Sequence, residues 1–236
     1  MAATFNTPGA RQPILGATTA RQISIAMHTL PLFAENDPAT LHPLMAAYPL
    51  ATLVTTSAAG ASDVHLLPLE LHTPDGAVAC LRGHVVRSHS LRQQMGEGDS
   101  LIALFQGPNA YISPRWYVNG QRSARLAPSW NYVAVQVRGR LRWVEDDPEW
   151  VLAHLTALTA AQEASRVEPW SLDMAAPDYV EGAARHLVGF EIEITALEGK
   201  RFLSQQRTEA DRRSLVEHLE RELSGMARDV ARLIVP

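Results

Sequence analysis

Leu101-Ile102-Ala103-Leu104-Phe105-Gln106-Gly107-Pro108-Asn109-Ala110-Tyr111-Ile112-Ser113-Pro114-Arg115-Trp116-Tyr117, followed by Pro128-Ser129-Trp130-Asn131-Tyr132-Val133-Ala134-Val135-Gln136-Val137-Arg138-Gly139, is the stretch whose reading decides the fold. Leu101 to Phe105 is a short apolar run of the kind that fills a buried strand. Gly107-Pro108 and Ser113-Pro114 then read as breaks, so a rigid loop is expected to carry Tyr111, Trp116 and Tyr117. From Trp130 to Val137 large apolar residues alternate with small or polar ones, the pattern of a half-buried strand. Aromatics at strand ends can fill a barrel mouth or form a plain core cluster.

Outside this stretch the chain offers ample material for a core. It has 236 residues, of which 46% are hydrophobic and 19% charged, enough for one large domain or two small ones. A formal net charge of −4 argues against a broad basic surface for nucleic acid. The single cysteine, Cys80, lies in an apolar run; it excludes an internal disulfide and reads as a small core residue. No apolar run approaches the ~20 residues that span a bilayer, and the cytoplasm is the expected compartment.

Residues 1–26 contain no Asp or Glu and two arginines, Arg11 and Arg21. That composition suits an organelle transit peptide, but without an amphipathic pattern the expectation is a disordered N-terminal arm. Organised structure is expected over 27–236. Asp37 and Pro38 open a helix whose Leu41, Leu44 and Met45 share a face. Strands are expected over 50–56, 64–71 and 77–86, with a turn at Thr73-Pro74-Asp75-Gly76, giving an antiparallel meander. A short helix capped by Ser88 or Ser90 runs to Met95, and Gly139 to Val144 extends or bulges the strand begun at Trp130. Asp147-Pro148 opens a helix with the stripe Val151, Leu155 and Leu158. A helix over 178–187, a closing strand over 188–194 and a final helix introduced by Thr208 and Asp211 complete the chain. Six or more short strands with peripheral helices point to a mainly β, α+β fold built on an antiparallel barrel.

The quoted stretch resembles the signature of the PaiB family of FMN-binding transcriptional regulators. It departs at Asn109, usually His in that family, and at Ser129, usually Thr. Further similar segments are Pro49 to Thr55, Gly83 to His89 and Gly199 to Arg207, so the resemblance spans about residues 27 to 225. It implies a split β-barrel, FMN as the cofactor in preference to FAD or haem, and a homodimer with flavin sites at the shared interface.

Three groups of residues then become candidates. His84, Arg87 and Ser88 end a strand where a helix begins, and a phosphate needs cationic and hydroxyl donors in such a place; the plain alternative is a helix cap with a solvated Arg. Trp130 and Asn131 open the strand that the resemblance sets against the isoalloxazine, where Asn131 can both donate and accept, or else satisfies its own backbone. Lys200, Ser204 and Gln205 match a family segment, which implies a cofactor or interface loop; alone they read as a solvated polar loop.

Nine histidines show no metal-ligand spacing. His65 stands in a strand with one more Leu than the family pattern, which suggests a bulge. No GxSxG, Walker or dinucleotide motif occurs. With no groove-reading basic helix evident, direct DNA binding is not expected. A flavin-dependent oxidoreductase and a flavin-sensing module remain alternatives to a regulator.

Overall fold

The computed structural model describes residues 27–74, 80–119, 121 and 126–235. The expected arm at 1–26, the expected strand residues 77–79 and the Asp75-Gly76 half of the expected turn lie outside them. The described strands are β1 (Ala34–Glu35), β2 (Leu50–Thr56), β3 (Ser62–Pro68), β4 (Glu70–His72), β5 (Cys80–Val86), β6 (Ser100–Ile112), β7 (Ser129–Val144) and β8 (Leu187–Phe202). Around them lie α1 (Pro38–Ala47), α2 (Ser90–Gln94), α3 (Pro148–Glu163), α4 (Pro177–Ala184), α5 (Glu209–Arg221) and α6 (Gly225–Leu233). All strands belong to one antiparallel sheet in the order β3-β2-β6-β7-β8-β5-β4, with β1 against the last residues of β8.

Two prolines shape this sheet. The expected strand over 64–71 is in fact two strands, because Pro68 has no N–H to continue a ladder. Leu69 instead bonds back to the Pro49 carbonyl at 2.9 Å. β3 therefore stays with β2 while β4 joins β5, at the two edges of the sheet, and the simple meander is replaced by a crossing. The sheet curls until β3 comes beside β5 with no ladder between them, leaving a seam. That open seam makes the barrel a split one. The bulge suggested at His65 does not occur, since β2 and β3 keep register from Leu50–Pro68 to Thr56–Ser62.

The second proline is Pro108. The break expected at Gly107-Pro108 is a bulge inside β6: Gln106 faces Ala134 and Asn109 faces Tyr132, so both bulge residues oppose Val133. Glycine is required there, because a Cβ at Gly107 would stand 2.4 Å from Val133 Cγ2. β6 thus continues to Ile112, and a short turn at Pro114–Trp116 follows it.

Alternation places Leu101, Ala103 and Phe105 inward with Val135, Val137 and Leu141 of β7 and Phe190 and Ile192 of β8. Burying each such side chain contributes roughly 1.5–3 kcal/mol. A second cluster joins Ile112, Tyr117 and Leu203 to Leu215, Leu219 and Val230 of the C-terminal helices. Asp37, Asp147 and Thr208 cap their helices as expected, accepting from Ala39 N, Trp150 N and Asp211 N. For α2 the cap is His89, whose Nδ1 accepts from Leu91 N at 3.2 Å, and neither Ser88 nor Ser90. β8 runs eight residues past Ile194, because a register shift opposite Arg138-Gly139 absorbs Thr195, whose hydroxyl donates to the Arg138 carbonyl. α6 follows the helix expected from Thr208 after a short turn; its start at Gly225 gives little signal in the residues.

Candidate functional site

The start of β7 makes one candidate region. Trp130 points outward and is 52% exposed, its Nε1 donating to Asn109 Oδ1 at 3.0 Å. Tyr111 meets the indole edge-on at 6.0 Å. Beside them a cleft of about 490 Å³ is lined by Gln106, Asn109, Trp130, Tyr132 and Gln136, within the size range of roughly 300–1,000 Å³ usual for small-molecule sites. The Gln136 Nε2 is buried with no partner among the described residues. An aromatic wall with a free amide donor fits a flavin ring and its alternating carbonyl and imide edge. Gln106 and Gln136 were not singled out in the sequence; they gain meaning only from the fold, which sets both in the cleft lining with Trp130. Lys200 sits nearby in β8, Nζ 5.4 Å from the Tyr132 ring centre and donating to the His28 carbonyl at 2.9 Å.

Asn131 does not reach this cleft. Strand alternation turns it inward, where it is fully buried and its Oδ1 accepts from Ser204 Oγ at 3.0 Å. Ser204 has a positive φ of 65° in the turn after β8. Gln205 closes that turn on itself, accepting from Leu203 N at 2.8 Å and donating to the Arg201 carbonyl. Close by, the Arg207 guanidinium lies 4.2 Å from the Tyr117 ring centre. Asn131 and Ser204 thus bond each other in the interior, and Gln205 lines a separate hollow with Leu32, Glu35 and Arg201.

His84, Arg87 and Ser88 lie together at the end of β5. Arg87 Nε donates to the Arg185 carbonyl at 3.0 Å and Nη2 to Asp146 Oδ1 at 3.1 Å; neither bond uses Nη1. Ser88 is exposed, and its carbonyl accepts from Gln93 Nε2. His84 faces α3, where its Nδ1 is 3.2 Å from His154 Nε2, and His154 Nδ1 is 2.9 Å from Glu70 Oε2. The Trp150 ring stacks on His154 at 5.3 Å. Burial first, then the neighbouring His154, pushes His84 down to about 4, so it is neutral at pH 7. His154 was hidden to sequence reading because it occupies a buried position next to the apolar stripe of α3 and has no ligand-like spacing.

The two regions share no lining residue: Trp130 and Gln136 line one cleft, and Arg87 lines another with Asp146. Arg87 N bonds the carbonyl of His186, just before β8 begins, whereas Tyr132 faces Phe202 at its other end. At roughly 3.3 Å per residue this is about 50 Å of strand contour.

Comparison with known proteins agrees with this architecture. A profile of the FMN-binding domain family matches residues 27–196. The chain is 30% identical over 183 residues to the protease synthase and sporulation protein PAI 2 of Bacillus subtilis, covering 78% of this chain and 84% of that one. It is 26% identical over 189 residues to an uncharacterized protein of Emericella nidulans, covering 69% and 75%. Among solved structures, an FAD and heme binding protein from Mycobacterium smegmatis superposes with a TM-score of 0.54 at 15% identity, over 75% of this chain and 77% of that chain, which bears on fold alone. The fold and cleft together define a flavin-binding split-barrel protein. The chain belongs to the PaiB-type FMN-binding family. No helix among the described residues is long and apolar enough to cross a membrane.

Proposed function

We propose that the chain acts as a flavin-dependent regulatory protein in which two copies share each FMN. The separation of the two candidate regions carries this reading. Trp130 and Gln136 line one cleft and Arg87 another, which supports a ring held by one chain and a phosphate held by its two-fold partner. The outer face of the sheet supports the pairing, since Val54 and Val64 are exposed directly opposite each other, with Leu66 beside them. The Bacillus subtilis relative is named for protease synthesis and sporulation, which supports a regulatory part. A net charge of −4 favours action without direct, sequence-specific DNA contact. FMN, when bound, supplies redox chemistry; the chain's own residues hold the ring edge and, through Arg87 Nη1 and Ser88, the phosphate.

Light scattering at micromolar concentration with FMN present is expected to give the mass of a dimer, and a monomeric mass would reject the shared site. Arg87→Ala is expected to weaken FMN about ten- to a hundred-fold, since charge-assisted hydrogen bonds contribute roughly 1.5–3 kcal/mol. Riboflavin, lacking the phosphate, should bind both forms equally. Equal weakening of both ligands would make Arg87 a support of the fold. Steady bleaching and turnover with NAD(P)H would replace the regulatory reading with an oxidoreductase.

A further inference from the structure

The bulge at Gly107-Pro108 does more than bend β6. On the side away from Trp130 it turns Pro108 into a second cavity of about 390 Å³, between α1 and α6 and floored by Val133 and Ala134. Leu41, Leu44 and Leu233 give it apolar walls. Its polar side chains are few: Thr40, Tyr48, Arg201, Arg232 and Asp229. Arg201 Nη1 lies 3.6 Å from Glu35, and Arg232 Nη1 bonds Asp229 at 2.7 Å. Each guanidinium carries five N–H donors, so both keep donors to spare. Among the described residues the Tyr48 hydroxyl has no hydrogen-bond partner, and burial and Asp229 raise its pKa, so it stays a phenol donor at neutral pH. A half-open, mostly apolar hollow with two guanidinium groups in its lining is the build of a site for an apolar acid.

We propose that this cavity binds a small carboxylic acid with an apolar body, its carboxylate accepting from Arg201 and Arg232 and its body lying against Leu44, Val133 and Pro108. The cavity shares Val133 and Ala134 with the cleft beside Trp130. An acid bound here would therefore press on one wall of the flavin cleft and couple a metabolite to the flavin. The inference does not depend on flavin binding at that cleft, because the second cavity has its own walls and donors.

The test is calorimetric titration of the full-length protein with decanoate and with decanol. Decanoate is expected to bind and decanol to bind at least about ten-fold more weakly, the worth of one charge-assisted bond. Arg232→Gln should weaken decanoate by a similar factor and leave decanol unchanged. Ala47→Trp, at an exposed position of α1 that lines the cavity, should abolish binding of both. FMN fluorescence quenching in the same variants checks that they are folded, and it also separates failure here from failure of the flavin site. Absence of decanoate binding, equal binding of decanol, or binding undisturbed by Ala47→Trp in a folded protein would each overturn the proposal.

Discussion

Glu191→Ala is expected to lower the stability of the protein by about 3–5 kcal/mol, the usual cost of removing one partner from a buried ion pair, and to bring Tm down by about 10 °C. Glu191 lies on the outer side of β8 beneath α3. Its Oε1 accepts from Arg82 Nε at 3.1 Å and from Trp150 Nε1 at 3.3 Å, and its Oε2 accepts from Arg142. Burial alone would raise its pKa, but the hydrogen bonds and charges of Arg142 and Arg82 outweigh that and hold the carboxyl below its usual range. The Arg82 guanidinium also lies 5.2 Å from the Trp150 ring centre, so one carboxylate orients two cations and an indole. Without it, Arg82 is left charged and largely enclosed. Glu191→Gln keeps an acceptor and should cost clearly less. Thermal melts showing a loss below about 1 kcal/mol for Glu191→Ala would mark the cluster as solvated surface.

The second large effect is on pH dependence. His84 has a folded pKa of about 4 against 6.5 when free. Its neutral form is therefore favoured by folding, and that stability is fully present above pH 6.5. As pH falls from 6.5 to about 4 the unfolded chain takes up a proton that the folded chain refuses, and up to about 3 kcal/mol is lost. Burial explains most of the refusal, and the His154 ring, whose Nε2 is 3.2 Å from His84 Nδ1, adds to it. His84→Gln keeps a hydrogen-bonding side chain and removes this titration, so its stability should fall less steeply across that window. An unchanged slope in denaturant titrations at pH 6.5, 5.5 and 4.5 would assign the effect to other groups, His65 first, since burial lowers its pKa as well.

Much of this fold was legible in the residues because strand alternation is a strong local signal. Trp130 to Val137 announced a strand by its alternation, although polar Asn131 is the buried residue at its start and Trp130 the exposed one, and Asp37, Asp147 and Thr208 announced their helices by hydrogen bonds that depend on near neighbours. What escaped depends on distant partners. Gly107-Pro108 breaks a strand in most settings, yet here Val133 accommodates both residues as a bulge. Pro68 could not reveal that the next residue would cross to the other edge of the sheet, since that depends on where β5 lies. The candidate site divides in the same way. Trp130 lines the cleft, whereas Asn131, one residue on and a candidate on the same resemblance, turns into the core. Gln136 and His154 acquire roles only from neighbours far away in sequence, and no local pattern marks them.

The position of β8 near the end of the chain has a consequence for how the protein is made. This strand bonds β7 along one side and β5 along the other, and its last residues pair with β1, near the beginning of the described chain. While the polypeptide is being synthesised, hairpins such as β2–β3 can close as they emerge, but β5 has only the three residues of β4 as a partner and one long side of β7 stays bare. Loop-closure entropy delays such distant pairings. The barrel thus cannot complete itself until Phe202 has left the ribosome, so the bare edge of β7 is the part of the nascent chain most in need of a chaperone's protection.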